Sequence, residues 1–251
     1  MIEGIYTSVS GMTAAMWLQA RLGHDMTNAN TVGYKSIRTS LSDFAVLLET
    51  MDAEGNVNIP DVIVHDDGNG VAIAQESTDW SQGPLRNTNR PLDVAISGQG
   101  FLEVQTPAGI RYTRAGRLHQ DQEGMLITAE GHAVMGDAGP IQLPVGDITI
   151  GEGGEVIVDG EPRARLTIVE FGNLEALERV GGTLFVAGDG ALPQAATESR
   201  VQQGYLEGAN VDMSSNMTSL IAIQRLYQLA QRMTLAQDDI LNQTVNELAK
   251  V

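Results

Sequence analysis

Over the first thirty residues apolar side chains recur at Ile5, Val9, Met12, Met16, Leu22 and Met26, with Ala14, Ala15, Ala20 and Ala29 between them. Their spacing sets them along one stripe of a helix. The run Asn28-Ala29-Asn30-Thr31-Val32-Gly33 closes the pattern, because asparagine and glycine accept the left-handed backbone that ends helices. The other end of the chain has the same texture. Glycine and proline are absent from Ala209 onward, and Asp212 is placed to cap a long helix. Leu220, Ile223, Tyr227, Ala230, Thr234, Gln237, Leu241, Thr244 and Leu248 step by three and four, the interval of a coiled-coil seam made imperfect by its polar members.

Between about Pro91 and Pro193 the period changes. Short apolar runs alternate with turn signals at the spacing of an all-β domain. The expected strands are Val94 to Ile96, Phe101 to Gln105, Arg111 to Thr113, Met125 to Thr128, Ala133 to Met135, Ile148 to Ile150, Val156 to Val158, Leu166 to Phe171 and Leu184 to Ala187. Gly98-Gln99-Gly100 lies between two of them and reads as a hairpin, since it lacks the third glycine of a dinucleotide fingerprint. Tyr34 to Leu48 is less regular; one reading has Phe44, Leu47 and Leu48 extending a second helical piece. From Met51 to about Thr88 glycine, asparagine and aspartate separate short β-branched runs such as Val62-Ile63-Val64 and Val71-Ala72-Ile73, an extended connector.

The expected class is α+β: terminal helices paired in a coiled-coil-like core domain, an extended connector and a central all-β domain. The expected division is 1–35 for the N-terminal helix, 36–90 and 196–210 for connectors, 91–195 for the β domain and 211–251 for the C-terminal helix.

Charge narrows the function. With 32 acidic against 15 basic residues the formal charge is −17, which repels a phosphate backbone and an anionic membrane surface. Nucleic acid and direct membrane insertion are therefore not expected. The absence of cysteine removes disulfides, thiolate nucleophiles and cysteine zinc sites. The first basic residue is Arg21 and polar residues interrupt the stretch before it, so no cleavable signal is expected.

No chemistry-bearing pattern emerges. His24, His65, His119 and His132 never stand at the spacing of a helical metal pair. Asp66, Asp67 and Asn69 lack the terminal glutamate of a calcium loop and read as a solvated turn. There is no nucleophile elbow and no phosphate loop. We therefore expect no enzyme, no metal and no cofactor. The ends carry the interest instead: an isolated amphipathic helix is marginal in water, since ordering costs roughly 1–2 kcal/mol per residue in backbone entropy. Two partners can supply the missing burial. One is an intramolecular hairpin docked on the β domain; the other is a set of further copies joined head to tail into a helical filament.

Three blocks of sequence decide between them. Ser10-Gly11-Met12 followed by Asn28-Ala29-Asn30-Thr31 and Gly33-Tyr34-Lys35 resembles the N-terminal signature of the flagellar rod and hook axial proteins. Pro91-Leu92-Asp93-Val94-Ala95-Ile96-Ser97-Gly98-Gln99-Gly100-Phe101, continued by Tyr112-Thr113-Arg114-Ala115-Gly116, resembles the central one. Leu206-Glu207-Gly208-Ala209-Asn210-Val211 and Gln224-Arg225 with Tyr227 resemble the C-terminal one. His24-Asp25 stands where the family often has an asparagine pair, and Val32 where it often has proline. The wording Arg90-Pro91-Leu92-Asp93 and Gly139-Pro140-Ile141 is most similar to the proximal-rod type, with the distal-rod type open.

The resemblance implies a structural subunit of the flagellar basal-body rod, crossing the periplasm, exported unfolded by the flagellar type III apparatus and transmitting torque to the hook. Its implied partners are other copies of itself, other rod proteins and the export apparatus. The expected assembly contacts are Ile5, Val9, Met12, Met16, Leu22 and Met26 on the first helix, with Leu220, Ile223, Gln224, Arg225, Tyr227, Leu241 and Leu248 on the last. Gln224, Arg225 and Tyr227 share a helical turn and read either as seam packing or as a polar register device. The rivals are an adhesin-like β-domain binding module with helical oligomerisation tails and a carboxylate-dependent hydrolase.

Overall fold

The computed structural model describes the backbone of residues 2–43 and 71–248, with side chains over 7–39 and 76–244. Val62 to Val64, His65, the Asp66 to Gly70 turn and the Phe44, Leu47, Leu48 segment lie outside the described residues. The chain divides into two compact units. One comprises residues 1–27, 37–77 and 212–251, the other residues 28–36 and 78–211.

The first unit holds two helices, α1 over Ile2–Thr27 and α2 over Met213–Leu248. Asp212 caps α2 as its sequence position predicts: its Oδ1 accepts from the amides of Ser214 at 2.9 Å and Ser215 at 3.2 Å. That satisfies two of the donors a helix start leaves open. Ile37–Asp43 is a strand rather than helix, paired with Val71–Thr78. Its alternation of Ile37, Thr39 and Leu41 with Arg38 and Ser40 suits a pleated ribbon.

α1 and α2 are in contact, but among the described residues the coiled-coil-like pairing expected between them is not shown. Interlocking seams need bulky apolar side chains buried at successive heptad positions. Among the described residues the buried positions of α1 are instead Ser8, Ala14, Ala15 and Asp25, small or polar. No described side chain of α2 is buried; Leu220, Ile223, Tyr227, Ala230, Thr234, Gln237, Leu241 and Thr244 reach only half-burial.

The second unit is β throughout apart from a 3-10 turn at Leu174–Ala176. Its main antiparallel sheet runs in the order Leu177–Arg179, Leu184–Ala187, Gly109–Thr113, Phe101–Thr106, Ala133–Gly136, Leu126–Thr128 and Leu118–Gln120. Ile168–Phe171 joins Phe101–Thr106 and carries Pro193–Ala195 on its other edge. A second, three-stranded sheet is built from Ile148–Ile150, Glu155–Val158 and Glu161–Arg165.

Phe101–Thr106 explains how so few aromatics suffice. Successive side chains on a strand point to opposite faces, and both faces of this strand are covered. Leu102 and Val104 enter an aliphatic core with Leu118, Leu126, Val134 and Val156. Phe101 enters a second cluster with Tyr112, Phe171 and Phe185. Trp80 meets Phe101 edge-on at 5.5 Å and Phe185 at 4.8 Å, within the range where aromatic pairs attract.

The expected hairpin at Gly98-Gln99-Gly100 is corrected by the pairing. Val94–Ser97 does not bond to Phe101–Thr106; it pairs with Arg200–Gln203. Leu85–Asn87 likewise pairs with Tyr205–Glu207. The first and last strands of this unit are therefore each other's partners.

Candidate functional site

The residues expected to mediate assembly fall into three groups. Val9 and Met16 are exposed, at 43% and 59%. Met12, Leu22, Met26, Leu220, Ile223, Tyr227 and Leu241 are half-buried, and Gln224 and Arg225 are exposed. Ile5 and Leu248 belong to the helices, with side chains outside the described residues. Tyr227 thus lies on the half-buried face, while its neighbours Gln224 and Arg225 point to solvent. Beyond these, α2 exposes Met213, Met217, Ile221, Leu226, Leu229, Met233, Leu235 and Ile240. They lie on two sides of the helix, Met213, Met217, Ile221 and Leu235 on one and Leu226, Leu229, Met233 and Ile240 on the other, and exposed apolar faces of this kind mark contact surfaces more often than features of a lone subunit.

A second constellation lies inside the β unit, and the three sequence blocks meet there. Lys35 Nζ donates to Glu207 Oε1 at 2.6 Å and to the Ser81 carbonyl at 2.7 Å. Arg114 Nη1 donates to Glu207 Oε2 at 3.2 Å, and its Nη2 to the Gly98 carbonyl at 2.7 Å. The amide of Gly83 completes the carboxylate's partners at 2.9 Å. The side chains of Lys35 and Glu207 are each 1% exposed. Charges so far from water persist only when paired and hydrogen-bonded. Burial pulls the Lys35 ammonium below its ordinary value; Glu207 opposes that pull and Arg114 adds to it.

The surroundings fix this cluster in place. The Arg114 guanidinium stacks 4.9 Å from the Phe101 ring centre. Arg179 lies over Tyr34 at 4.9 Å and donates to the Lys35 carbonyl. Asn210 accepts from the Ser36 amide at 2.7 Å and donates to the Asp79 carbonyl at 2.7 Å. Gly33 adopts φ +69°, and a Cβ there would stand 2.4 Å from the Arg114 carbonyl carbon, so only glycine lets residues 33–36 run so close to the sheet. The arrangement offers no reactive group; it holds three distant stretches of backbone together.

Sequence reading did not pair Lys35, Arg114 and Glu207. Their available signal was that each stands as a lone charge among apolar and small residues, in Gly33-Tyr34-Lys35, Thr113-Arg114-Ala115-Gly116 and Leu206-Glu207-Gly208.

Elsewhere the unit has an open groove of about 720 Å³ lined by Glu103, Asp137, Arg165, Thr167, Ser199 and Arg200 among others. Burial raises the Glu103 carboxyl, and burial together with Glu103 raises the Tyr112 phenol opposite it. Among the described residues no group of histidine and carboxylate side chains is arranged to hold a metal ion. No described helix is long and apolar enough to cross a membrane.

Two family models match the chain: the flagellar hook protein FlgE/F/G D1 domain over residues 95–158, and the flagellar basal body rod FlgEFG protein C-terminal region over residues 202–248. The second spans Glu207 and the whole of α2. Whole-length relatives agree. The chain is 32% identical to the flagellar basal-body rod protein FlgF of Caulobacter vibrioides, covering 96% of this chain and 97% of that one. It is 31% identical to FlgG of Borreliella burgdorferi over 96% and 97%, and 29% identical to FlgG of Bacillus subtilis over 98% and 99%. Matches of this extent cover both helices and the whole β unit, and the chain therefore belongs to the flagellar basal-body rod protein family, as a structural protein of the basal body and not an enzyme.

Proposed function

We propose that the chain is an axial building block that assembles through α1 and α2 with copies of itself and with other rod proteins into a helical filament that transmits torque to the hook. The observation that carries this is the apolar surface of the helices: Met16 at 59%, Leu229 at 56% and Leu235 at 60% exposure are costly to leave in water. At about 25 cal/mol per Å² of apolar area, their burial against neighbours is a driving force of several kcal/mol per subunit. Repeated contacts that do not close on themselves generate a filament. The acidic surface keeps free subunits apart until those contacts form. Delivery as an unfolded chain through the flagellar export apparatus fits a sequence that needs no disulfide for stability.

The test is substitution of the helices in the full chain. Met12→Asp or Leu241→Asp places a charge at a contact meant to be dry and should abolish rod assembly and motility, with the β unit's near-ultraviolet dichroism unchanged. Wild-type motility in both variants contradicts the proposal.

A further inference from the structure

The β unit carries an apolar knob and an apolar hole. Val145 is 94% exposed, more than any other large apolar side chain among the described residues. Its loop is held in shape. Pro144 fixes the backbone before it, the Asp147 amide donates to Asp159 Oδ1 at 3.0 Å, and the Asp159 amide donates back to the Asp147 carbonyl at 3.0 Å. A side chain presented on so constrained a loop loses little freedom when it docks.

The hole is a cavity of about 190 Å³ where Val32, Ala115, Ala129 and Leu184 meet Thr31, Thr113 and Thr128. The three threonine hydroxyls are already engaged. Thr31 Oγ1 donates to Asn28 Oδ1 at 3.2 Å, Thr113 Oγ1 donates to the Thr183 carbonyl at 3.0 Å, and Thr128 Oγ1 accepts from the His132 amide at 3.2 Å. An entrant therefore needs no polar group to satisfy them. The room suits one branched aliphatic side chain, since an apolar cavity of roughly 150 Å³ holds a benzene-sized group. Arg117 also lines this cavity, exposed and, among the described residues, in no ion pair. Asp147, two residues after Val145, is exposed and carries the opposite charge.

Knob and hole lie beyond opposite ends of one hairpin. In the pair formed by Leu118–Gln120 and Leu126–Thr128, Leu118 stands opposite Thr128, and the cavity opens at that end, beside Arg117. The loop of Val145 departs from the other end, where Gln120 Nε2 donates to the Leu143 carbonyl at 2.6 Å and the Leu143 amide to the Gly124 carbonyl at 2.8 Å. The two surfaces are different, so a contact between them is heterologous and each copy can give a knob to one neighbour and take one from another.

We propose that Val145 of one copy seats in this cavity on the β unit of the next, with Asp147 beside Arg117, as a head-to-tail contact that repeats along the filament. It rests on the reading that the helices bring copies side by side. Burial of one valine is too weak to join free subunits, and the contact counts only once assembly has raised the local concentration of its partner.

The test uses rods assembled in cells from the full chain, which has no cysteine of its own, and a bifunctional maleimide that joins neighbouring thiols. A chain carrying both Val145→Cys and Ala129→Cys should give linked dimers, trimers and longer species, while either change alone should give none. Adding Arg117→Asp should lower the linked yield fivefold or more, and adding Arg117→Asp together with Asp147→Arg should restore it. All four side chains are exposed, so these changes leave the β unit folded. No linked species from the double-cysteine chain, linkage that stops at dimers, linkage from Val145→Cys alone, or a yield indifferent to Arg117→Asp each overturns the proposal. The filament reading stands apart from these outcomes and is judged by the motility of the Leu241→Asp variant.

Discussion

The Lys35 ammonium and the Glu207 carboxylate meet at 2.6 Å across 172 residues of sequence, one immediately before the first strand after α1 and the other in the last strand before α2. Both chain ends enter and leave the β unit through this contact. Its value is conditional. Desolvating ions is expensive, and the attraction between them repays the expense only while every partner is present.

Removing one partner should therefore cost more than removing all. Lys35→Met or Glu207→Gln is expected to destabilise the β unit by about 3–5 kcal/mol, the usual cost of leaving a buried charge uncompensated. Lys35→Met with Arg114→Met and Glu207→Met leaves no ion behind and should cost less than the sum of the three single changes. Denaturant unfolding of the single and triple variants checks this; additive losses show that the three residues do not act as a unit.

Close backbone approaches make a second prediction. A Cβ on Gly116 would stand 1.8 Å from the Val94 carbonyl oxygen, and one on Gly83 would stand 2.0 Å from that of Gly208. Backbone atoms cannot swing aside as a side-chain tip does. Gly116→Ala and Gly83→Ala should each cost at least the roughly 1–3 kcal/mol of an overpacked core. Gly172 has nothing within 4 Å of the added carbon, so Gly172→Ala should stay within about 0.5 kcal/mol of wild type. Thermal unfolding of the three variants side by side tests the contrast.

How much of this was legible in the residues depends on the range of the interaction. The half-burial of Leu220, Ile223, Tyr227 and Leu241 follows the three-and-four spacing written in the sequence, because one face of a helix is a local property. The buried face of α1 is legible only in part: Ala14 and Ala15 stand within the apolar pattern, but Ser8 and Asp25 are polar and a count of apolar side chains passes over them. Strands such as Phe101–Thr106 are visible as apolar runs, whereas Arg200–Gln203 is mostly polar and becomes a strand only because Val94–Ser97 lies beside it. The same holds for the clamp: no local pattern says that Lys35 and Glu207 share a site. Composition limits what can be read, and tertiary pairing supplies the rest.

Acid should loosen one corner of the β unit selectively. Burial raises the Glu170 carboxyl, but the Ser199 hydroxyl at 2.6 Å and the amides of Ser199, Thr197 and Glu198 outweigh it and hold the group below its ordinary value of 4.5. A carboxylate depressed in the folded state contributes stability that is complete above the unfolded value and is lost as the pH falls through the folded one. Protection of the Ser199 amide against exchange should fall below about pH 4.5, and Glu170→Gln should show low protection at neutral pH with little further change in acid. Equal acid sensitivity in both proteins refutes the assignment.

The pairing scheme finally predicts which fragment folds. Residues 91–195 contain most expected strands, yet that fragment lacks Arg200–Gln203 to pair with Val94–Ser97, both members of the Leu85–Asn87 and Tyr205–Glu207 ladder, and Lys35 with Glu207. It should show no cooperative unfolding transition. Residues 28–211 retain all of these partners and should unfold in one step. Residues 78–211 keep the ladders but leave the place of Tyr34 and Lys35 vacant, with Glu207 short of one cation. A synthetic peptide of residues 28–38 added to that fragment should raise its denaturant midpoint, since a ligand that binds only the folded state stabilises it. The same peptide with Lys35→Met should raise it less. If 91–195 alone unfolds as cooperatively as 28–211, the two chain ends are not part of the β unit's fold, and the role given to Lys35 and Glu207 fails with it.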